Sequence, residues 1–265
     1  MSKTLYFAHA TGFPGLTYSP LFDALQEQGF TVDYIDKIGH HPEYPITNNW
    51  PYLVKELEAQ ITANHQQAVI GIGHSAGGLL HYQLAQKRPD LYSHLVLLDP
   101  PIINGWQNII WWLAKRLKLT DHITPAGSSK KRRTHFEDYD QAYRHLRHKA
   151  LFKNFTEASF LAYLEHGLTE DDSGRLTLIY EKDKEVALFR TAADNLWRYK
   201  TPLQLPGLYL TAEDSEFASR PFAQRLAQKN GMKYQVLKGG HLFPQEDPQG
   251  TAEVIAAWLL ENQTA

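Results

Sequence analysis

The chain has no cysteine. That excludes disulfides, a thiolate nucleophile and any zinc site built on cysteine. It has no apolar run near the roughly 18 residues that a membrane span takes, so no stable membrane insertion is expected. Its first residues, MSKTLYFAHATGF, lack the basic start and long apolar centre of a secretion signal. A soluble, cytoplasmic protein is the expectation. Charge is balanced, with 27 Lys and Arg against 29 Asp and Glu and a net charge of −2. Such a balance gives no electrostatic footprint for nucleic acid, and no nucleic-acid partner is expected. There is no internal repeat, and no low-complexity tract beyond the basic loop PAGSSKKRR at 125–133.

What is present is an ordinary globular composition, 43% hydrophobic and 21% charged over 265 residues. That suits one large α/β domain, or a core carrying an inserted subdomain. TLYFAH (4–9), FTVDYID (30–36), QAVIGIG (67–73) and SHLVLLDPP (93–101) read as strands. Between them SPLFDALQEQG (19–29), TNNWPYLVKELEAQITANH (47–65) and SAGGLLHYQLAQKRPD (75–90) have helical spacing. Gly29 closes the first helix, Thr47 or Asn48 is the expected cap of the second with Pro51 in its first turn, and Pro89 stops the third. Strict alternation of strand and helix implies a parallel sheet with right-handed crossovers. It resumes with a strand in PGLYLTAEDSEF (206–217), a helix at 218–231, a strand in MKYQVLKGGH (232–241) and a closing helix at 247–263.

Residues 101–205 interrupt the pattern, and the expectation is an inserted, mainly helical cap between core segments 1–100 and 206–265. Helices are expected at 106–119, 136–155 and 157–168, with a short strand at 175–180.

The stretch GIGHSAGG (71–78) stands between a predicted strand and a predicted helix. It lacks the Lys-Ser/Thr pair of a phosphate-binding Walker loop. It fits the G-x-G-x-x-G spacing of a dinucleotide loop only loosely, with Asp99 as a mimic of the acidic partner, and on the third strand rather than the first. The sharper match is G-x-S-x-G: Gly73, His74, Ser75, Ala76, Gly77. A nucleophile at the tip of a strand-to-helix turn sits in a strained backbone, and small residues two before and two after keep that turn from clashing. The bland alternative is a glycine-rich turn in which Ser75 only caps a helix.

With AHATGFPG, GHSAGG, LVLLDP and GGHLFPQEDP in this order, the chain resembles the α/β-hydrolase family over its whole length. The resemblance implies a serine nucleophile at Ser75, a cap after the strand that follows the elbow, and a histidine loop after the last strand. The two N-terminal strands common in the family are missing, which predicts a trimmed sheet of about six parallel strands. His241, in GGHLF, is the implied base. Most other histidines, His145 and His148 among them, sit in charged helices and are expected to be solvated.

The acid is open to three residues. The family's usual position, after the post-cap strand, falls on Ser215, with Asp214 one place early and Glu216 one place late. Some members carry the acid one strand earlier, where this chain has Asp99 at the carboxyl edge of the sheet. Asp99 is preferred, Asp214 second and Glu216 third; the competing role for Asp99 is a turn cap before Pro100. The oxyanion hole implied by the resemblance uses the N–H groups of Ala76 and Thr11, with Gly12 as a substitute and His9 shaping the loop.

The implied chemistry is acyl-enzyme hydrolysis of a small-molecule carboxylic ester, with no metal and no organic cofactor. A serine in place of aspartate at the elbow argues against dehalogenase and epoxide-hydrolase chemistry. A C–C bond hydrolase, a thioesterase, a cofactor-free haloperoxidase, or a non-catalytic ligand receptor on the same scaffold are the alternatives. Trp106, Trp111, Trp112, Phe152, Phe155, Phe160 and Tyr163 are expected to form mainly cap core, and any that line the pocket favour an apolar substrate group. Lys115, Arg116, Lys118 and the KKRR run at 130–133 are expected to be solvated, with attraction of an anionic substrate or a lipid surface as the sharper reading.

Overall fold

Alternation sets the architecture. In a computed structural model that describes residues 4–102, 106–216 and 221–262, the first hundred residues give β1 (Thr4–Ala8), α1 (Ser19–Glu27), β2 (Thr31–Tyr34), α2 (Pro51–Asn64), β3 (Val69–His74), α3 (Ala76–Ala85) and β4 (Tyr92–Leu98). The chain then leaves the sheet through α4 (Trp106–Arg116), α5 (Thr120–Ile123), α6 (Ala126–Ser129), β5 (His135–Phe136), α7 (Tyr139–Arg147), α8 (Glu157–Gly167), β6 (Leu168–Glu170), β7 (Leu176–Leu178) and α9 (Lys182–Thr191). It returns with β8 (Gly207–Ala212), α10 (Pro221–Lys229), β9 (Lys233–Leu237), α11 (Phe243–Glu246) and α12 (Pro248–Glu261). The sheet has six strands in the order β2-β1-β3-β4-β8-β9, and every pairing is parallel. The trimmed parallel sheet expected from the sequence is what forms.

The inner strands β1, β3, β4 and β8 bury both faces, because side chains alternate and helices cover both sides, whereas the edge strands β2 and β9 are partly exposed. Leu5, Phe7, Ile70, Ile72, Val96, Leu98, Leu208 and Leu210 face Leu21 and Leu25 of α1 and Ile255 and Leu259 of α12. Tyr6, Ala8, Leu95, Leu97 and Tyr209 face Leu53 and Leu57 of α2, Leu79 and Leu80 of α3 and Leu226 of α10. The interposed segment has no core of its own. Phe152, Phe155, Phe160 and Tyr163 continue the first cluster, reached through Phe13, whose ring centroid lies 5.4 Å from that of Tyr163.

The local expectations fail mostly in that segment. The helix expected over 136–155 is α7 followed by a 3-10 turn at Ala150–Phe152. The strand expected at 175–180 is β7, the centre of a three-stranded antiparallel sheet, β5-β7-β6, whose other strands are too short to leave a period in the sequence. Helix α4 ends at Arg116, and Lys118 takes a left-handed φ of 56°. The basic loop is partly helical at α6, and within it Arg132 forms an ion pair with Glu185 instead of being solvated. Lys115 is likewise buried, 2.8 Å from Asp194. The side chain of Trp106 and the start of the helix expected at 218–231 lie outside the described residues.

The second helix also starts later than expected. Neither Thr47 nor Asn48 caps it; α2 opens at Pro51 behind Trp50, which sits at φ 61° with no side-chain cap. The approach to the helix is committed elsewhere. Asn49 N–H donates to Thr191 O (2.9 Å), its Oδ1 accepts from Asp194 N–H (2.7 Å), and the Trp50 indole N–H donates to Thr191 Oγ1 (3.0 Å). These bonds tie the end of α9 to the start of α2.

Candidate active site

The turn between β3 and α3 has no room for side chains. A Cβ on Gly73 would come within 2.5 Å of the Gly77 carbonyl carbon, and one on Gly77 within 2.0 Å of Ala8 O. Both clashes are with backbone, so only glycine fits. The turn forces Ser75 to φ 52°, ψ −116°, a conformation that costs on the order of 1–3 kcal/mol and persists only where its surroundings enforce it. They do so here through Ser75 N–H to Leu98 O (2.8 Å) and Gly77 N–H to His9 O (3.1 Å). The Ser75 hydroxyl is left above the sheet, at the N-terminus of α3 and on the floor of a cleft of about 1040 Å³.

His241 comes from the loop after β9. Its Nε2 lies 3.1 Å from Ser75 Oγ, and its Nδ1 lies 2.6 Å from Asp99 Oδ2. A carboxylate only accepts, so Nδ1 carries the proton and Nε2 accepts from the Ser75 hydroxyl. Asp99 is fully buried and also accepts from the hydroxyls of Thr211 and Ser215.

The structure seats Asp99, the preferred choice, against the imidazole, and places Asp214 and Glu216 at the surface. Asp214 is an exposed turn residue whose N–H donates to Gly239 O at 3.0 Å. Glu216 is exposed on the wall of the cleft. The turn between them swings Ser215 inward, so the position that usually holds the acid supplies a hydroxyl to Asp99 instead. β4 and β8 are neighbours in the sheet, with Leu98 opposite Leu210. The two strand ends therefore lie side by side below the histidine loop.

Thr11 and Ala76 line the same cleft as Ser75 and His241. Among the described residues no backbone acceptor engages either N–H, whereas the next N–H of α3, that of Gly77, is taken by His9 O. His9 is buried and structural: its Nε2 accepts from Ile38 N–H at 2.9 Å, its Nδ1 lies 2.8 Å from Ala10 O, and burial pushes its pKa down to about 4.

One supporting residue has no counterpart among the expected site residues. His74, immediately before Ser75, is fully buried, and burial pushes its pKa down to about 3, with His241 adding to the effect. Its Nε2–H donates to the backbone carbonyl of His241 at 2.9 Å, and its Nδ1 accepts from the Tyr18 hydroxyl at 2.7 Å. It fixes the histidine loop onto the end of β3. In the sequence it reads only as the variable residue of the G-x-S-x-G stretch.

The aromatic residues divide. Phe155, Phe160 and Tyr163 are core, Trp111 and Phe152 are both buried and cleft-lining, and Trp112 is exposed. His145 lines the cleft, partly exposed, and its pKa is lowered by burial and by Lys149 and Arg133. Among the described residues no group of three or more His, Asp or Glu is arranged to hold a metal ion, and no helix is long and apolar enough to cross a membrane.

Known proteins share this arrangement of elements. The structure of E-2-(acetamidomethylene)succinate hydrolase superposes with a TM-score of 0.78 at 19% identity, over 98% of this chain and 92% of that one. The thioesterase domain from the curacin biosynthetic pathway gives a TM-score of 0.68 at 19% identity, over 95% and 90%. In sequence, the type I acyl-CoA thioesterase mpaH' of Penicillium brevicompactum is 31% identical over 114 residues; the match spans 37% of this chain and 26% of that protein. The profile of the alpha/beta hydrolase family matches residues 5–254, nearly the whole chain, and the protein belongs to that family.

Proposed function

We propose that the protein is a serine hydrolase that cleaves a carboxylic acyl bond, ester or thioester, through an acyl-enzyme. One line of contacts carries the reading: Ser75 Oγ to His241 Nε2 at 3.1 Å, and His241 Nδ1 to Asp99 Oδ2 at 2.6 Å. Ser75 attacks the acyl carbon while His241 takes its proton. Asp99 holds the imidazole in the tautomer that makes this possible and stabilises its positive charge. The N–H groups of Ala76 and Thr11 receive the oxyanion at the N-terminus of α3. The imidazolium then protonates the leaving group, and water deprotonated by His241 releases the acid.

Residues 101–205 act as the cap and shape the substrate site, with Phe13, Trp50, Trp111 and Phe152 on the cleft wall favouring an apolar acyl chain. The sequence match to an acyl-CoA thioesterase favours keeping thioesters beside esters as substrates. A non-catalytic receptor role is disfavoured, since nucleophile, base and acid are all in hydrogen-bonding order.

The test is intact-mass analysis after incubation with a fluorophosphonate. A single adduct, absent from Ser75→Ala, is expected. Folded protein that takes up no adduct would overturn the proposal.

A further inference from the structure

The cleft changes character between floor and rim. Its buried lining is mainly apolar, with Phe13, Trp50, Trp111 and Leu188 beside the paired Glu185. The rim formed by the α6–β5 connection and the C-terminal end of α7 is cationic: Lys131, Arg133, His145 and Lys149 all line the cleft there. Among the described residues no carboxylate lies within ion-pair distance of Lys131, Arg133 or Lys149.

Nearby carboxylates are committed elsewhere. Glu185, in the cleft wall, takes Arg132 and the Ser129 hydroxyl. Asp138 caps α7 by accepting from Gln141 N–H, and Glu157 accepts from Tyr143. Arg133 is held in place by bonds to His135 O and Gln141 Oε1 and by the Phe136 ring, 5.1 Å away. The cations also converge on one another: Lys149 and Arg133 both depress the His145 imidazole. The two other carboxylates of the cleft, Glu216 and Glu246, belong to the wall of the histidine loop; Glu246 accepts from Gly240 N–H.

The cleft is therefore polarised, apolar at its floor and positive at one rim, on a chain whose net charge is −2. Uncompensated cations gathered at the mouth of a low-dielectric cleft concentrate anions there. We propose that this rim seats an anionic group of the phosphate or carboxylate type, carried on the leaving-group side of the substrate, so that the substrate is an acyl compound with an apolar acyl chain and an anionic leaving group. The inference rests on the serine-hydrolase reading, because that reading places the acyl chain at the floor and leaves the polar portion at the rim.

Octyl phosphate, kept below its micellar concentration, and octanol are matched probes. Each is titrated as a competitor of Ser75 labelling by a neutral fluorophosphonate. The expected inhibition constant for octyl phosphate is at least about tenfold lower, an advantage that shrinks with added salt. In Lys131→Glu/Lys149→Glu the ratio falls to about one, and in Lys131→Gln/Lys149→Gln it takes an intermediate value. Lys55→Glu/Lys87→Glu changes net charge equally at exposed sites outside the cleft and keeps the wild-type ratio. Thermal midpoints confirm that each variant is folded.

Equal constants in the wild type, or a ratio untouched by the rim variants, would overturn the proposal. So would sedimentation with phosphatidylglycerol but not phosphatidylcholine vesicles combined with no octyl phosphate advantage, since the rim would then serve a lipid surface instead of a substrate group. If the wild type does not label at all, the hydrolase reading fails by itself. Titration calorimetry with octyl phosphate then judges the rim separately, and absence of binding overturns it.

Discussion

Asp99→Asn isolates what the buried carboxylate does. Asp99 sits at φ 46°, a left-handed conformation that Asn tolerates well, so the backbone is preserved. The wild-type side chain accepts from three donors: the Thr211 hydroxyl, the Ser215 hydroxyl and His241 Nδ1–H. An amide in the same place has one oxygen and one NH2. With the oxygen at the Oδ1 position it still accepts from Thr211, while the NH2 faces both Ser215 and Nδ1, the imidazole proton moves to Nε2, and His241 no longer accepts from Ser75. With the amide flipped, the Thr211 hydroxyl rotates to accept from the NH2, Ser215 and Nδ1 still donate to the oxygen, and the tautomer is kept. The imidazolium that forms during attack then has no anion beside it in a fully buried setting. Either state disables the base. The expected loss in kcat/KM is about 10³–10⁴-fold, or roughly 4–5.5 kcal/mol of transition-state stabilisation. The assay is hydrolysis of a p-nitrophenyl ester beside the second-order rate of fluorophosphonate labelling, with Asp214→Asn and Glu216→Gln as controls expected to stay within about threefold of wild type. A loss below tenfold in Asp99→Asn, or an equal loss in either control, would refute the assignment of the acid.

Ser75→Gly removes the nucleophile and releases the strain of a side chain at φ 52°. Weighed against the extra freedom of glycine in the unfolded chain, a net gain of about 1 kcal/mol is expected, or roughly 2–4 °C in calorimetric midpoint; a lower midpoint than wild type would contradict it. Gly77→Ala places a Cβ 2.0 Å from Ala8 O, where nothing but backbone can move. A loss of about 3 kcal/mol, at the upper end for overpacking, is expected in urea unfolding, and an unchanged midpoint would disprove the steric account. Acid should destabilise the fold. His9, His74 and His81 have pKa values pushed down by burial to about 4, 3 and 3. The unfolded state therefore binds protons that the folded state does not as pH falls below about 6.5. Each such group costs on the order of 2 kcal/mol by pH 5. Glu56, raised by burial to about 7, works in the opposite sense, because its neutral form is favoured in the fold and its contribution is lost as pH rises through that value. Burial also raises Glu185 and lowers His40, His94 and His145, so the lowered histidines outnumber the raised carboxylates; the thermal midpoint should fall from pH 7 to pH 5, and a flat profile would count against neutral burial of these histidines.

The parts of this protein legible in its sequence are those decided locally. Runs such as Ile70–Ile72 and Leu95–Leu98 are apolar at every side-chain position because both faces of the sheet are covered, and no other element of that length needs this. The elbow is legible because its steric demand is met within five residues, Gly73 to Gly77. The interposed segment is less so. Its strands span two or three residues. Its α9 buries Glu185 beside Val186 and Leu188, with the carboxylate neutralised from the basic loop by Arg132. A buried face that mixes charge with hydrophobes leaves no clean helical period. The loop before α2 misleads because Thr47 and Asn48 read as caps, whereas the next residue, Asn49, bonds across the fold to Thr191 at the end of α9 and to Asp194 beyond it.

The acid is the instructive case between these extremes. Sequence supplies three carboxylates within reach of one histidine loop, and spacing alone does not rank the ends of two adjacent strands. What ranks them is the inward turn of Ser215, which sets a hydroxyl where the family's usual carboxylate stands and points it at Asp99. Two ionised carboxylates at those adjacent positions would repel each other in a buried site, and one would be driven to its neutral form. One carboxylate with two hydroxyl donors keeps a single full charge, solvated by Thr211 and Ser215 and aimed at His241. The serine at 215 is thus the physical counterpart of the aspartate at 99: in the proposed triad the earlier strand carries the carboxylate and the later one supplies a donor instead of a second charge.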